Sequence, residues 1–200
     1  DGHSDAAQKG ITELAALGTA GDPEAGARAA LQRFWAAFEW GTNDERFDVL
    51  DHCRTRAYRY GDPDWWGHLT LFLAAMGKGD EAVRAFDEAL QLAAGGARDG
   101  RQLDLVTNLI EAAALLRDPA RVAQAGRQLH TATGRLVVVG DGVVCKGSVD
   151  RYLGLLHAAV GDSAKAGACF RSAEAAHRAL GAEPLLARTL QQASGLLVAA

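Results

Sequence analysis

Methionine occurs once in these 200 residues, at Met76, and cysteine only three times, at Cys53, Cys145 and Cys169. An odd and sparse cysteine set without a C-x-x-C pair excludes a disulfide scaffold, and a reducing, cytoplasmic setting is the expectation. Proline is nearly as scarce, with four residues, and aromatic residues make up 6 %. Together with Ala at about one residue in five, which favours helices and is poor in strands, this argues against an all-β chain. No apolar run reaches the roughly 18 residues that cross a bilayer, and the N-terminal segment lacks the charged and apolar regions of a signal peptide. Charge of one sign is also absent in excess. The net charge is −4, made of 21 basic and 25 acidic side chains. Residues 1–100 carry −7 and residues 101–200 carry +3, neither extreme enough to announce nucleic acid.

What is present is a chain with 48 % hydrophobic residues, enough to bury a core in one domain spanning residues 1–200. Because Met76 is the only methionine, the chain is expected to be a piece of a longer protein. Its punctuation falls at helical-hairpin intervals. Gly21-Asp22-Pro23, Gly61-Asp62-Pro63 and Asp118-Pro119 each set an N-capping Asp before a Pro suited to the first helical turn. Gly77-Lys78-Gly79-Asp80 and Gly161-Asp162-Ser163 join one helix end to the next start. The pattern predicts helices at 5–18, 24–40, 44–60, 64–76, 80–94, 101–116, 119–133, 148–160, 163–180 and 185–198. One stretch departs from it: Leu136 to Gly147 holds five Val and three Gly, and is expected to be extended or a buried loop.

A repeat underlies the helical pattern. Trp66-x2-Leu69 is followed by Ala82-x3-Phe86-x2-Ala89, and Leu153-Gly154-x2-His157 by Ala166-x3-Phe170-x2-Ala173. Both units keep 13 residues from Leu to Ala and 7 between the two Ala. Small residues let paired helices approach, and the Phe fills the space between hairpins. An Ala-rich bundle can produce A-x3-F by chance, so a non-repeating bundle is the alternative. The units lie 84 residues apart, with a degenerate hairpin at about 101–134 between them, so any array is irregular.

The tetratricopeptide pattern is W-x2-L-G-x2-Y then A-x3-F: the first unit supplies its Trp, Leu, Ala and Phe, the second its Leu-Gly and the same second half. With Asp150 to Leu156, Ala166 to Ala173 and Leu180-Gly181-Ala182-Glu183-Pro184-Leu185-Leu186-Ala187-Arg188-Thr189-Leu190, the chain resembles the tetratricopeptide-like C-terminal regions of large actinobacterial multidomain signalling and transcription regulators. Ala16-Leu17-Gly18 and Tyr60-Gly61-Asp62-Pro63 are similar to hairpin starts in those regions. The resemblance implies an all-α, right-handed superhelical array of antiparallel hairpins, interrupted by the Val/Gly-rich insert at about 135–147. It also implies a non-catalytic interaction or regulatory module, without cofactor, that buries a protein segment or a sister domain in a concave groove.

By the same resemblance the groove is lined two residues before and after the conserved Leu of each first helix. Those positions are Gly67 and Leu71, Thr107 and Glu111, Arg151 and Leu155, and Arg188 and Gln192. Trp65, which the repeat does not use, joins them. Arg151 and Arg188 at successive equivalent positions could take a carboxylate bidentately, or could pair internally with Glu111, Asp104 or Asp150. The Lys and Asn by which such arrays clamp C-terminal carboxylates are mostly absent, which argues against a chaperone tail.

Other constellations carry less. Lys146-Gly147-Ser148 after a Val-rich run imitates a P-loop, but Lys and Gly are transposed, and Cys145 replaces the last Gly of a dinucleotide fingerprint. Arg54-Thr55-Arg56-Ala57-Tyr58-Arg59-Tyr60 could contact nucleic acid, but its acidic surroundings make internal pairing the better account. His52-Cys53 would chelate a metal poorly, since adjacent helical residues diverge by about 100°. No nucleophile or zincin motif is present, so no enzyme is expected. Trp35 and Trp40 are expected to seal contacts between hairpins. Two alternatives to the docking module remain: self-association through a C-terminal helix bearing Leu185, Leu186, Leu190, Leu196 and Leu197, and a small-molecule sensor with its pocket beneath the Val-rich loop.

Overall fold

The computed structural model describes residues 9, 12, 13, 16, 23–40, 43–59, 61, 63–94, 100–127, 129–139 and 144–199. The helix expected at 5–18 falls largely outside them. The described chain is mostly helical, with nine α-helices and one β-hairpin. The helices are α1 (Pro23–Trp40), α2 (Asn43–Arg54), α3 (Pro63–Ala75), α4 (Gly79–Ala94), α5 (Gly100–Leu115), α6 (Pro119–Gly126), α7 (Val149–Ala159), α8 (Ser163–Ala179) and α9 (Glu183–Ala199). Strands β1 (Leu136–Val139) and β2 (Val144–Ser148) pair antiparallel between α6 and α7, with a register shift between Val137 and Val138. The Val-rich insert is therefore a hairpin. β-Branched residues favour the extended chain here, and Val137 and Val139 are buried while Val138 faces out.

Two expected helices are shorter than their hydrophobic pattern. The helix expected at 44–60 stops at Arg54 and continues as a π-helical turn, Thr55–Arg59, and that at 119–133 stops at Gly126, with a 3₁₀ turn at Leu129–Ala132. Periodicity alone cannot place such ends, because caps and turn geometry decide them.

The turns after α3, α5, α7 and α8 have one design. In each, two backbone N–H groups close back onto carbonyls five and three residues earlier: Lys78 to Leu73 and Gly77 to Ala74; Asp118 to Ala113 and Arg117 to Ala114; Asp162 to His157 and Gly161 to Ala158; Ala182 to His177 and Gly181 to Arg178. This is the Schellman cap, whose pivotal residue takes positive φ. Gly77, Gly161 and Gly181 fill that place at φ 72, 78 and 63, but the turn after α5 has Arg117 at φ 56. Asp118 and Asp162 then cap the following helices by accepting the Arg121 and Lys165 N–H groups at 3.0 and 3.1 Å.

The helices pack in two rows. α3, α5, α7 and α9 contact each other in succession, and each also packs against its following or preceding partner among α4, α6 and α8. One apolar cluster runs through both rows and includes Leu69, Phe86, Ile110, Leu153 and Phe170. The Leu-Gly step of the second motif has a packing reason: a Cβ on Gly154 would stand 2.8 Å from the Phe170 ring. α1 and α2 lie at the N-terminal side of these rows. α1 crosses onto α3, with the Phe34 ring centroid 5.2 Å from that of Phe72 and 4.7 Å from that of His68. No helix among the described residues is long and apolar enough to cross a membrane.

Candidate functional site: a buried ion-pair network beside a cavity

Helix α5 carries Asp104, Thr107, Asn108 and Glu111, an i, i+3, i+4, i+7 stripe that lies on one helical face. All four are buried, on a helix whose other core residues are apolar. Burying such groups is costly unless each finds a partner. The partners come from sequence about 40 residues away.

Lys146 of β2 reaches the N-terminal half of the stripe. Its Nζ donates to Asp104 Oδ1 at 2.8 Å, Thr107 Oγ1 at 2.9 Å and Asn108 Oδ1 at 2.7 Å. These three short bonds match the three protons of an ammonium, and the Asp104 carbonyl lies further off at 3.4 Å. Thr107 can accept because its own hydroxyl proton goes to the carbonyls of Leu103 and Asp104. The rings of Trp35 and Tyr152 lie 5.2 and 5.7 Å from Nζ and complete the cage. His68 Nε2 stands 3.5 Å from the second Asp104 oxygen. Burial pushes the Asp104 carboxyl up, but Lys146 and then His68 outweigh it, and the group ends below its ordinary value.

Arg151 of α7 takes the C-terminal half. Its Nη1 and Nη2 donate to the two Glu111 oxygens at 3.1 Å each, a two-point pair, and Nη1 also donates to Gln192 Oε1 at 3.1 Å. Its guanidinium lies 4.1 Å from the Tyr152 ring centroid. Arg188 of α9 approaches Glu111 Oε1 at 3.7 Å and lies over the Phe38 ring at 5.3 Å. Burial again pushes Glu111 up, and Arg151, Arg188 and Lys146 together bring it below the ordinary carboxyl value. Lys146, Arg151 and Arg188 thus surround the carboxylates of Asp104 and Glu111.

The hairpin that delivers Lys146 is anchored from its other side. His177 of α8 accepts the Ser148 N–H at Nε2, 2.8 Å away, and its Nδ1 lies 3.0 Å from Thr189 Oγ1. Because the Thr189 hydroxyl donates to the Leu185 carbonyl, the Nδ1 side must carry the imidazole proton. Burial, followed by the charge of Arg151, lowers the His177 pKa. Ser148 in turn caps α7, accepting the Asp150 N–H at 3.1 Å. Lys146-Gly147-Ser148, the sequence that imitates a P-loop, is occupied in this way by structural contacts.

Beyond the Arg151–Glu111 pair a cavity of about 640 Å³ opens between α3, α5 and α9. Phe38, Phe72, Met76 and Leu115 supply apolar wall, while Arg46, Arg117, Arg188, Glu111, Gln191 and Gln192 are the polar groups among the described residues. No described residue of the β-hairpin lines it.

Of the residues read from the sequence as groove positions, Thr107, Glu111, Arg151, Arg188 and Gln192 come together in this network. Arg151 pairs internally with Glu111, the arrangement that the sequence left open. Leu71 and Leu155 are buried in the core. Gly67 packs against α5, where a Cβ would stand 2.7 Å from Leu105 Cδ1. Trp65 is buried beside the His52 and His68 rings, with the Arg56 guanidinium 5.7 Å from its centroid. Arg54, read as a possible phosphate contact, is hydrogen-bonded to Glu81 of α4 and lies 4.0 Å from Asp51. The Trp40 side chain and the hairpin tip, 140–143, fall outside the described residues. The sequence reading missed Asn108, Lys146 and His177 as partners. The signal for Asn108 was present in the polar stripe of α5, but nothing local links Lys146 or His177 to it.

Among the described residues no group of three His, Cys, Asp or Glu side chains is placed to hold a metal ion. No family model, no curated protein and no solved structure matches this chain.

Proposed function

We propose that this chain is a tetratricopeptide-like, non-catalytic interaction module of a larger signalling or transcription regulator, and that the face formed by α3, α5, α7 and α9 receives a protein segment or a sister domain. The two-row packing and the Gly154–Phe170 approach support the repeat. The observation that carries the docking reading is that this face already takes two segments of its own chain. α1 lies across it through Phe34, Trp35 and Phe38, and the hairpin inserts Lys146 into it. A surface that accepts a helix through aromatic and cationic contacts suits a further helical segment, with Arg188 and Gln192 fixing its orientation.

A photo-cross-linking residue at Gln191, exposed beside Arg188, tests this in the intact protein. A cross-link mapped to one defined segment, and lost in Arg188→Glu, is the expected result. Labelling that spreads over unrelated peptides, or that Arg188→Glu leaves unchanged, overturns it.

Self-association through α9 is the second reading. Leu190 is exposed on that helix, while Leu185 and Leu186 are half-buried. A strict monomer in light scattering at high concentration overturns it.

A further inference from the structure

We propose that His177 is a pH-operated latch on the β-hairpin: a second proton on its imidazole removes the acceptor of the Ser148 N–H, and the hairpin then parts from α8 and draws Lys146 off the polar stripe of α5.

The ring has no free place for that proton. Nδ1 carries its hydrogen toward Thr189 Oγ1 at 3.0 Å, because that hydroxyl donates to the Leu185 carbonyl, and Nε2 accepts the Ser148 N–H at 2.8 Å. A proton added at Nε2 sets donor against donor, and a buried donor without an acceptor is costly. Nor is there room for water between them. Gly147, at φ 93, brings the strand so close that a Cβ there would stand 2.4 Å from Nε2 and 3.0 Å from Cε1. Strand and helix must separate before the charged ring is solvated.

The surroundings oppose the second proton in the closed state. Burial, and after it the charge of Arg151 on α7, outweigh the Leu185 carbonyl of α9 and hold the imidazole below its ordinary pKa. The other charged groups of the elements packed here are engaged elsewhere. Asp150 of α7 accepts from the Gly134 N–H and Ser172, and Glu174 pairs with Arg178 on α8. Arg188 of α9 lies against Glu111, and Lys146 of β2 against Asp104. Glu183 of α9 and Cys145 of β2 are exposed.

Ser148 follows Lys146 by two residues, so the strand that leaves His177 is the one that carries Nζ to Asp104, Thr107 and Asn108. Opening therefore uncovers three polar groups of α5 on the proposed docking face. That consequence rests on the docking reading. The latch itself does not, and amide exchange reports it whether or not any segment docks.

Hydrogen exchange of the intact chain, corrected at each pH for the intrinsic exchange rate and repeated in low urea, tests the latch. Protection at Ser148 and Val137 should fall by up to about tenfold for each pH unit below about 6.5, because the open state binds one proton that the closed state refuses. The fall should be independent of urea, as for a local opening, while Leu69 and Ile110 in the core exchange through a urea-dependent one. His177→Gln, whose amide oxygen can still accept the Ser148 N–H, should abolish the pH slope at the hairpin. In the unsubstituted chain, imidazole ¹⁵N shifts should show His177 as the Nδ1–H form, titrating below the ordinary value. Three results overturn the proposal: hairpin amides that open only together with the core, a pH slope that survives His177→Gln and so belongs to His68 beside Asp104, or a His177 that titrates at or above the ordinary imidazole value.

Discussion

Lys146 Nζ lies 2.8 Å from Asp104 Oδ1, joining a β-hairpin to a helix 42 residues earlier in the chain. Both side chains are buried, so the pair is sensitive to losing one member. Lys146→Met leaves a buried carboxylate facing an apolar group and should cost about 3–5 kcal/mol. The double variant Lys146→Met with Asp104→Leu should recover much of this, because no charge is then stranded. Urea unfolding of the four proteins of the cycle checks it. Losses in the two single variants that simply add up in the double variant would show that the two charges are not coupled.

Arg151 and Arg188 reach the same carboxylate and should differ sharply. Arg151 is fully buried and bonded to both Glu111 oxygens, whereas Arg188 is one-fifth exposed and 3.7 Å away. Arg151→Met should cost about 3–5 kcal/mol by stranding Glu111. Arg188→Gln should cost about 1 kcal/mol or less, since a partly solvated pair is screened. Midpoints from the same unfolding experiment separate the two.

Stability should fall as pH drops below about 6.5, the ordinary imidazole value. His177 is held neutral in the fold, its pKa lowered by burial and by Arg151, and Nε2 must stay unprotonated to accept the Ser148 N–H. The unfolded chain therefore binds a proton that the folded chain refuses, and the stability present above the unfolded pKa is lost on acidification. Asp104 and Glu111, whose pKa values are lowered, act in a separate window below the ordinary carboxyl range. Unfolding midpoints between pH 7.5 and 5 should decline less steeply, by about one proton, in His177→Gln. Equal slopes would remove His177 from the account.

Two backbone positions should respond in opposite directions. Arg117→Gly relieves a positive φ and should raise stability by about 1 kcal/mol, although it removes a charge from the cavity. Gly147→Ala meets a φ of 93 and a Cβ 2.4 Å from His177 Nε2, and should cost about 2–3 kcal/mol or more. It should also loosen the hairpin, seen as faster amide exchange at Val137 and Lys146. Changes of the same sign in both variants would contradict the backbone argument.

Much of the helical order was legible from residues alone. Asp118 before Pro119, Asp162 before Ser163 and Gly161 after α7 mark helix ends by capping chemistry that depends only on near neighbours. Periodicity placed the helix cores, and the Val run from Val137 to Val139 announced an extended segment. Glu111 and Arg151 were readable as polar residues at the groove positions that the resemblance implies. Their pairing was not, because an Arg that can reach a carboxylate on the neighbouring helix or on a partner has the same sequence signature in both cases.

By itself the sequence determined a mostly helical chain with capped ends and one extended interruption, since those features follow from local hydrogen bonding and side-chain periodicity. Only the tertiary structure decided that Lys146 and Arg151 neutralise the buried stripe of α5, that His177 fixes the hairpin, and that three arginines from distant segments share one cavity. Charge compensation acts across space at about 3 Å, and which residues come that close is settled by the packing of whole helices, not by their spacing along the chain.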